Sequence, residues 1–251
     1  MYVNIIIICI FVFLAGFVDA IAGGGGLISL PAYLFVGLPV HNAIATNKFS
    51  AACGTTFSML TFSKHKALDW KVAIISAVAS FISSFLGSSL ALVIDEAILK
   101  KIILIALPLV ACFILFKRDK YEHNNTQIQH TYTTYLQAFL VGAVIGFYDG
   151  LIGPGTGTFA ILAYSFFMHY DLVTASGNAK VLNVSSNYAS VVTFLLSGKI
   201  MFFIGIPAAM CGIFGNYIGA SLAIKKGGYF IKIIMLVVII TLFIKILVQG
   251  L

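Results

Sequence analysis

The sequence predicts an all-α fold, a polytopic transmembrane bundle of about 8–10 membrane segments in two related halves, since a straight crossing takes roughly 20 apolar residues. Three observations carry this prediction. The chain is overwhelmingly apolar, its charges sit mainly in short stretches between apolar runs, and a glycine-rich interruption occurs twice, at corresponding places in the two halves.

Of 251 residues, 61% are hydrophobic and 9% charged, against roughly 25% charged in a soluble domain. A soluble chain of this length needs a polar surface around its core, and 15 Lys and Arg with 8 Asp and Glu cannot supply one. The lipid bilayer is the remaining host. The formal charge of +7 does not point to nucleic acid, because the cations cluster between apolar runs, where Lys and Arg mark cytoplasmic loops. Cys9, Cys53, Cys112 and Cys211 stand singly in apolar stretches, without CxxC spacing or a neighbouring His. No disulfide framework, metal site or cofactor is implied.

Apolar segments fall at 3–22, 25–38, 49–63, 72–93, 98–116, 132–153, 155–168, 181–197, 200–223 and 229–248. The first ends at Ala20-Ile21-Ala22, which resembles a cleavage site. It lacks a basic n-region and its end recurs in mid-chain, so it reads as part of the fold. The pieces at 25–38, 49–63, 155–168 and 181–197 are too short to cross alone and read as short or broken helices. The one clearly polar stretch, Lys117 to His130, divides the chain into a first repeat over 1–116, a polar cytoplasmic linker over 117–131 and a second repeat over 132–251.

The halves align. GFVDAIAGGG from Gly16 matches GFYDGLIGPG from Gly146, pairing Asp19 with Asp149, Gly23 with Gly153 and Gly25 with Gly155. After a two-residue shift, Lys48 pairs with Lys180, Ser58 with Ser190, Thr61 with Thr193 and Phe62 with Phe194. Five crossing elements per half would place the loops at 64–71, 117–131 and 225–226 on one side, with Lys64, Lys66, Lys71, Lys117, Arg118, Lys120, Lys225 and Lys226. Lys100, Lys101, Lys199 and Lys245 fall opposite. The positive-inside bias makes the first side cytoplasmic, and an odd count makes the repeats inverted.

In hydrocarbon, backbone outside a helix survives only when buried in protein or lining a watery cavity. Gly23, Gly24, Gly25 and Gly26 form one such break, and Gly153, Pro154, Gly155, Thr156 and Gly157 form the other. Pro154 removes a donor and disfavours helix before it. Helices restarting at such breaks turn N-terminal amides and a positive dipole end inward, which suits an anion. The competing reading is glycine used for close helix packing.

Asp19 and Asp149 each precede a break by four residues, and a charge at mid-bilayer costs roughly 2.5–3.5 kcal/mol. Protonation, pairing with a lysine or coupling to a cation would offset that cost. The alternatives for both are proton coupling and structural bracing of the broken helices. Lys48 and Lys180 open short apolar segments as ATNK and GNAK, amid Thr46, Asn47, Asn178, Asn183, Ser186 and Asn187. Alone, each lysine would read as snorkelling to the interface. Their equivalence raises an anion site beside that reading. Asn183 and Asn187, four apart, share a helix face. His41, His65, His123, His130 and His169 fall in loops or segment ends, and no catalytic residue is assigned.

With GFVDAIAGGGGLISLP, ATNK, GFYDGLIGPGTG and AKVLNVSSNYASVVTFLLSGK in view, the chain resembles the TauE/SafE family of sulfite exporters, and within it the YfcA-like branch, over nearly its whole length. The resemblance implies a multi-pass inner-membrane permease with a duplicated fold, handling small sulfur-containing anions such as sulfite or organosulfonates. The family's glycine-rich motif maps onto Gly23 to Gly26 and again onto Gly153 to Gly157, and its lysine and asparagine motif onto Lys180, Asn183 and Asn187. Ala51 and Thr55 stand in the first half where the second has Asn183 and Asn187, so the second half draws the substrate assignment.

The function expected is secondary transport of a small anion by alternating access where the breaks meet. A passive anion channel would use the same residues. An intramembrane enzyme is the less favoured class. Tyr148-Asp149 with Asp19 resembles an aspartyl protease pair, but the GxGD element is missing, as is a GxSG serine motif with a membrane His. The expected partners are the small anion, the bilayer and, as an open alternative, further copies of the chain.

Overall fold

Twenty or so apolar residues in hydrocarbon satisfy their backbone most simply as a helix, and the computed structural model is helical throughout, with no strand among the described residues, which are 2–103, 105 and 130–249. Besides a helical stretch at 96–103, the helices among the described residues are α1 (Tyr2–Ala22), α2 (Gly26–Phe35), α3 (Val40–Lys64), α4 (Trp70–Val93), α5 (Tyr132–Leu151), α6 (Thr156–Met168), α7 (Leu172–Leu196) and α8 (Phe202–Gln249). Helix α8 leaves helical geometry at Gly227 (φ 75°, ψ −170°), which separates the runs expected at 200–223 and 229–248. Most of the segment at 98–116 and the linker as far as residue 129 lie outside the described residues, and with them Cys112, Lys117, Arg118, Lys120 and His123.

Among the described residues, four helices are long and apolar enough to cross a membrane, at Val3–Ala22, Trp70–Val93, Tyr132–Leu151 and Phe202–Ile231. Their outward faces present Ile6, Ile10 and Leu14 on α1, Ile74, Val78 and Ile82 on α4, and Ile206, Met210 and Phe214 on α8. Inside, the polarity is reversed, with Thr46, Asn47, Lys48, Asn178, Lys180 and Asn183 all buried. A lipid-facing apolar shell around buried polar groups is what hydrocarbon as solvent selects.

The expected short pieces at 49–63 and 181–197 need correction. Each is the C-terminal part of an unbroken 25-residue helix, α3 or α7. Hydropathy missed the N-terminal halves because they carry the buried Asn, Lys and Thr side chains, whose polarity faces protein and not lipid. The glycine breaks are also shorter than expected. Gly26, Thr156 and Gly157 already belong to the first turns of α2 and α6.

Helix starts repeat between the halves. Helices α1 and α5 begin 130 positions apart, as do α2 and α6, whereas α3 and α7 begin 132 apart, as do α4 and α8. The long helices pack mainly across the halves, α1 and α3 on α8, and α4 on α5 and α7. Small residues allow the close approach. A Cβ added at Gly142 or Gly150 of α5 would stand 2.3 Å from Ser76 O or 2.2 Å from Ser84 O of α4, and one at Gly215 of α8 would stand 2.1 Å from Phe13 O of α1. Gly142, Gly146 and Gly150 recur every four residues, the small-xxx-small spacing of membrane helix pairs. Buried serines of α4 then bond across to α5 and α7, Ser76 Oγ donating to Ala138 O at 2.9 Å and Ser84 Oγ to Ser186 O at 2.8 Å.

Helices α3 and α7 run antiparallel. Asn42 Nδ2, near the start of α3, donates to Lys199 O just past the end of α7 at 2.9 Å. Midway, Thr56 Oγ1 and Tyr188 Oη are 3.2 Å apart, and just beyond the end of α3 the Asp69 amide donates to Asn178 Oδ1 at 2.8 Å. Thr56 and Tyr188 are themselves equivalent positions under the offset that aligns Lys48 with Lys180. The turn at 65–69, His130 and the Gly227 kink gather at one end, through His130 with Asp69 at 3.5 Å and Gly228 against Leu172. Tyr170 Oη donates to Asp69 Oδ2 at 2.7 Å there. Burial, and after it the Asp69 carboxylate, pushes the Tyr170 phenol well above its ordinary value, which keeps it a donor.

Candidate functional site

The breaks touch each other at the centre of the bundle. Gly23 adopts φ +78°, open to glycine without penalty, and its carbonyl accepts from the Thr158 amide of α6 at 3.1 Å. Thr158 Oγ1 donates to Ala22 O at 2.8 Å. A Cβ on Gly23 would stand 2.1 Å from the Gly157 carbonyl carbon, and one on Gly157 2.5 Å from Gly23 Cα. The two peptide segments are in backbone contact, which glycine at both positions makes possible.

Around this contact the charged side chains pair across the halves. Lys48 Nζ on α3 lies 2.8 Å from Asp149 Oδ1 on α5, and Lys180 Nζ on α7 lies 2.8 Å from Asp19 Oδ2 on α1. Each aspartate also braces its break. Asp19 Oδ1 accepts from the Gly25 amide at 3.3 Å, Asp149 Oδ1 accepts from Thr156 Oγ1 at 2.7 Å, and Ser186 Oγ donates to Asp149 Oδ2. Lys180 also donates to the Asp19 carbonyl. Of the ways to offset a buried carboxylate, pairing with lysine is the one present.

Asp19, Lys48 and Asp149 border a cavity of about 60 Å³, room for several waters at roughly 10–15 Å³ each on that measure. Among the expected residues, Asp19, Gly23, Gly25, Gly26, Asn47, Lys48, Asp149, Gly153, Thr156, Gly157, Asn183 and Asn187 line it. First-turn residues of both α2 and α6, Gly26 on the one and Thr156 and Gly157 on the other, are thus at its wall. Five expected residues do not line it, namely Gly24, Thr46, Pro154, Gly155 and Lys180. Thr46 Oγ1 instead accepts from the Met201 amide at 3.1 Å and fixes the start of α8. Pro154 O accepts from Tyr148 Oη at 2.7 Å, and Gly155 caps α6 at φ 84°. Lys180 is fully enclosed behind Asp19.

Sequence reasoning missed Asn216, Ser29 and Ser50, which also line the cavity. Asn216 had a signal, since it is the one amide in the apolar run from Phe202 to Ile224. Asn47, Asn183 and Asn216 are each buried with Oδ1 unpartnered, a costly state for a polar atom. Among the described residues no cluster of His, Cys, Asp and Glu is arranged to hold a metal.

This arrangement lies within a sequence pattern already known elsewhere. The family described as "Sulfite exporter TauE/SafE" matches residues 8–246. The chain belongs to the TauE/SafE family. Within reach of its sequence are a "Probable membrane transporter protein" of Haemophilus influenzae, 36% identical over 88% of this chain and 85% of the relative, and "Probable membrane transporter protein ORF9" of a Sinorhizobium species, 31% identical over 94% and 89%. "Probable membrane transporter protein YfcA" of Escherichia coli K12 is 30% identical over 90% of this chain and 82% of its own. No solved structure matches the chain. This TauE/SafE protein is therefore a membrane protein whose relatives are named as transporters, and its glycine breaks, paired charges and cavity fall inside the matched region.

Proposed function

We propose that this TauE/SafE chain is a secondary transporter of the inner membrane, moving sulfite or an organosulfonate by alternating access, and that it catalyses no covalent chemistry. The observation that carries the reading is one cavity bounded by both breaks and by Lys48 with its partner Asp149. Paired broken helices with the site between repeats are the arrangement of many secondary transporters. The antiparallel course of α3 and α7 and the matched helix starts support inverted repeats. The end that carries Lys64, Lys66, Lys71, Lys225 and Lys226 is then the cytoplasmic one by the positive-inside bias.

At the site the Lys48 ammonium supplies a charged donor for an oxyanion, and the positive dipole ends of α2 and α6 at the cavity wall favour negative charge. Because each lysine already holds an aspartate, these four groups carry no net charge. An incoming anion competes with Asp149 for Lys48, or arrives as that carboxylate takes up a proton. In this reading the aspartates brace the breaks in one state and couple to a proton in the other. An aspartyl-protease reading fits less well, since each carboxylate is engaged by its own lysine.

Anion binding to the purified protein tests the reading. Sulfite or a C2 sulfonate should raise the unfolding temperature saturably. Lys48→Ala should weaken that binding about tenfold or more, since a hydrogen bond to a charged group contributes roughly 1.5–3 kcal/mol. Saturable binding untouched by Lys48→Ala would remove the lysine from the site.

A further inference from the structure

The cavity extends well away from the charged end. Val12, Ala15 and Gly16 of α1, Ala51 and Thr55 of α3, and Gly212 and Asn216 of α8 line it beyond the breaks. Asn216 sits against Gly54, where an added Cβ would meet Asn216 Nδ2 at 2.4 Å, and Gly54 lies six residues beyond Lys48 on α3, about 9 Å along a helix axis. The orientation of the Asn216 amide is fixed by its surroundings, because Nδ2 donates to Gly212 O at 3.0 Å. Its Oδ1 is therefore an acceptor, and it is buried without a partner, the residue being 3% exposed. The equivalent position in the first half is Ser84, whose hydroxyl is satisfied by Ser186 O at 2.8 Å. Of this equivalent pair, Asn216, which lines the cavity, is the one with an unsatisfied polar atom.

We infer that Asn216 is a specificity-determining residue, accepting a hydrogen bond from a hydroxyl or ammonium group at the far end of an organic anion whose acidic group lies at Lys48. The substrate class is then a short sulfonate bearing a donor, and a bare oxyanion such as sulfite would leave Oδ1 unpaired. This rests on the reading that the cavity is the transport site. A pocket that hydrogen-bonds a substrate hydroxyl rejects the analogue lacking it, because its own polar group is then stranded.

The test compares 2-hydroxyethanesulfonate with 1-propanesulfonate, which replaces the hydroxyl by a methyl group, as ligands of the purified protein by calorimetry. The wild-type protein should prefer the hydroxyl compound by at least about tenfold, a modest share of what such sites reach, and Asn216→Leu should collapse the ratio to near one. The wild-type comparison stands even if that variant fails to fold. Equal affinity for the two probes in the wild-type protein, or a ratio that survives in a folded Asn216→Leu, overturns the assignment while leaving the cavity as an anion site. Absence of binding by both probes and by sulfite removes the transport-site reading and this inference with it.

Discussion

Lys48 of α3 reaches across the molecule to Asp149 of α5, 2.8 Å between Nζ and Oδ1, with both side chains almost wholly enclosed. Lys180 of α7 returns the relationship to Asp19 of α1. Each half therefore supplies the cation for the other half's break. Neither half can move from the other without either exposing these charges to water or exchanging their partners, which ties the breaks to any relative motion of the repeats.

The pairs set a stability expectation. Breaking a buried ion pair by removing one partner costs roughly 3–5 kcal/mol, whereas replacing both by apolar groups is often close to neutral. Asp149→Asn should lower the thermal unfolding temperature in detergent markedly, and Lys48→Met with Asp149→Leu should recover much of the loss. Additive losses in the double variant would show that the two groups do not act as a pair.

Two glycines with the same backbone conformation separate strain from close approach. Gly23 (φ +78°) would place a Cβ 2.1 Å from Gly157 C, whereas a Cβ on Gly37 (φ +87°) meets nothing within 4 Å. Gly37→Ala should cost about 1–2 kcal/mol, the usual left-handed penalty. Gly23→Ala adds a backbone collision and should abolish folding or drive the breaks apart. Expression and unfolding temperature check this, and equal behaviour of the two variants would contradict the backbone contact.

Much of this arrangement was legible beforehand. The offset that aligned Lys48 with Lys180 also separates the starts of α3 and α7, because both follow one duplicated pattern. The full length of those helices was hidden, since hydropathy reads Asn47, Lys48 and Asn178 as polar without knowing that they face inward. The crossing of the ion pairs was hidden too. Asp19 and Lys48 stand in one half of the sequence, and only the antiparallel packing of the halves sends each to a partner in the other. Thr46 looked equivalent to Asn47 as a site residue, yet neighbouring positions on a helix face different ways, and Thr46 caps α8.

The antiparallel contact of α3 and α7 makes its own prediction. With Cys9, Cys53, Cys112 and Cys211 replaced, cysteines at Thr56 and Tyr188, whose hydroxyls are 3.2 Å apart, should be joined within one chain by a short bis-methanethiosulfonate, each thiolate displacing one sulfinate. Failure to join them, where a control pair elsewhere on α4 and α7 is joined, would contradict the crossing of α3 and α7.

The proposed inverted repeats would place equivalent turns on opposite sides of the membrane. His65 and Ser197 are equivalent and both exposed. In the same cysteine-free background, His65→Cys should react with a membrane-impermeant thiol reagent only from the cytoplasm, and Ser197→Cys only from outside. Labelling of both from one side would rule out the inverted arrangement.

The central claim is that the paired breaks and Lys48 form the transport site of a small-anion carrier, and flux in sealed liposomes tests it most directly. Radiolabelled sulfite or 2-hydroxyethanesulfonate should exchange across the membrane with saturation, at carrier rates, and lose at least about tenfold in Lys48→Ala, as the loss of a hydrogen bond to a charged group predicts. No movement of either anion, with or without a pH gradient, would contradict it, as would conductance far above carrier turnover.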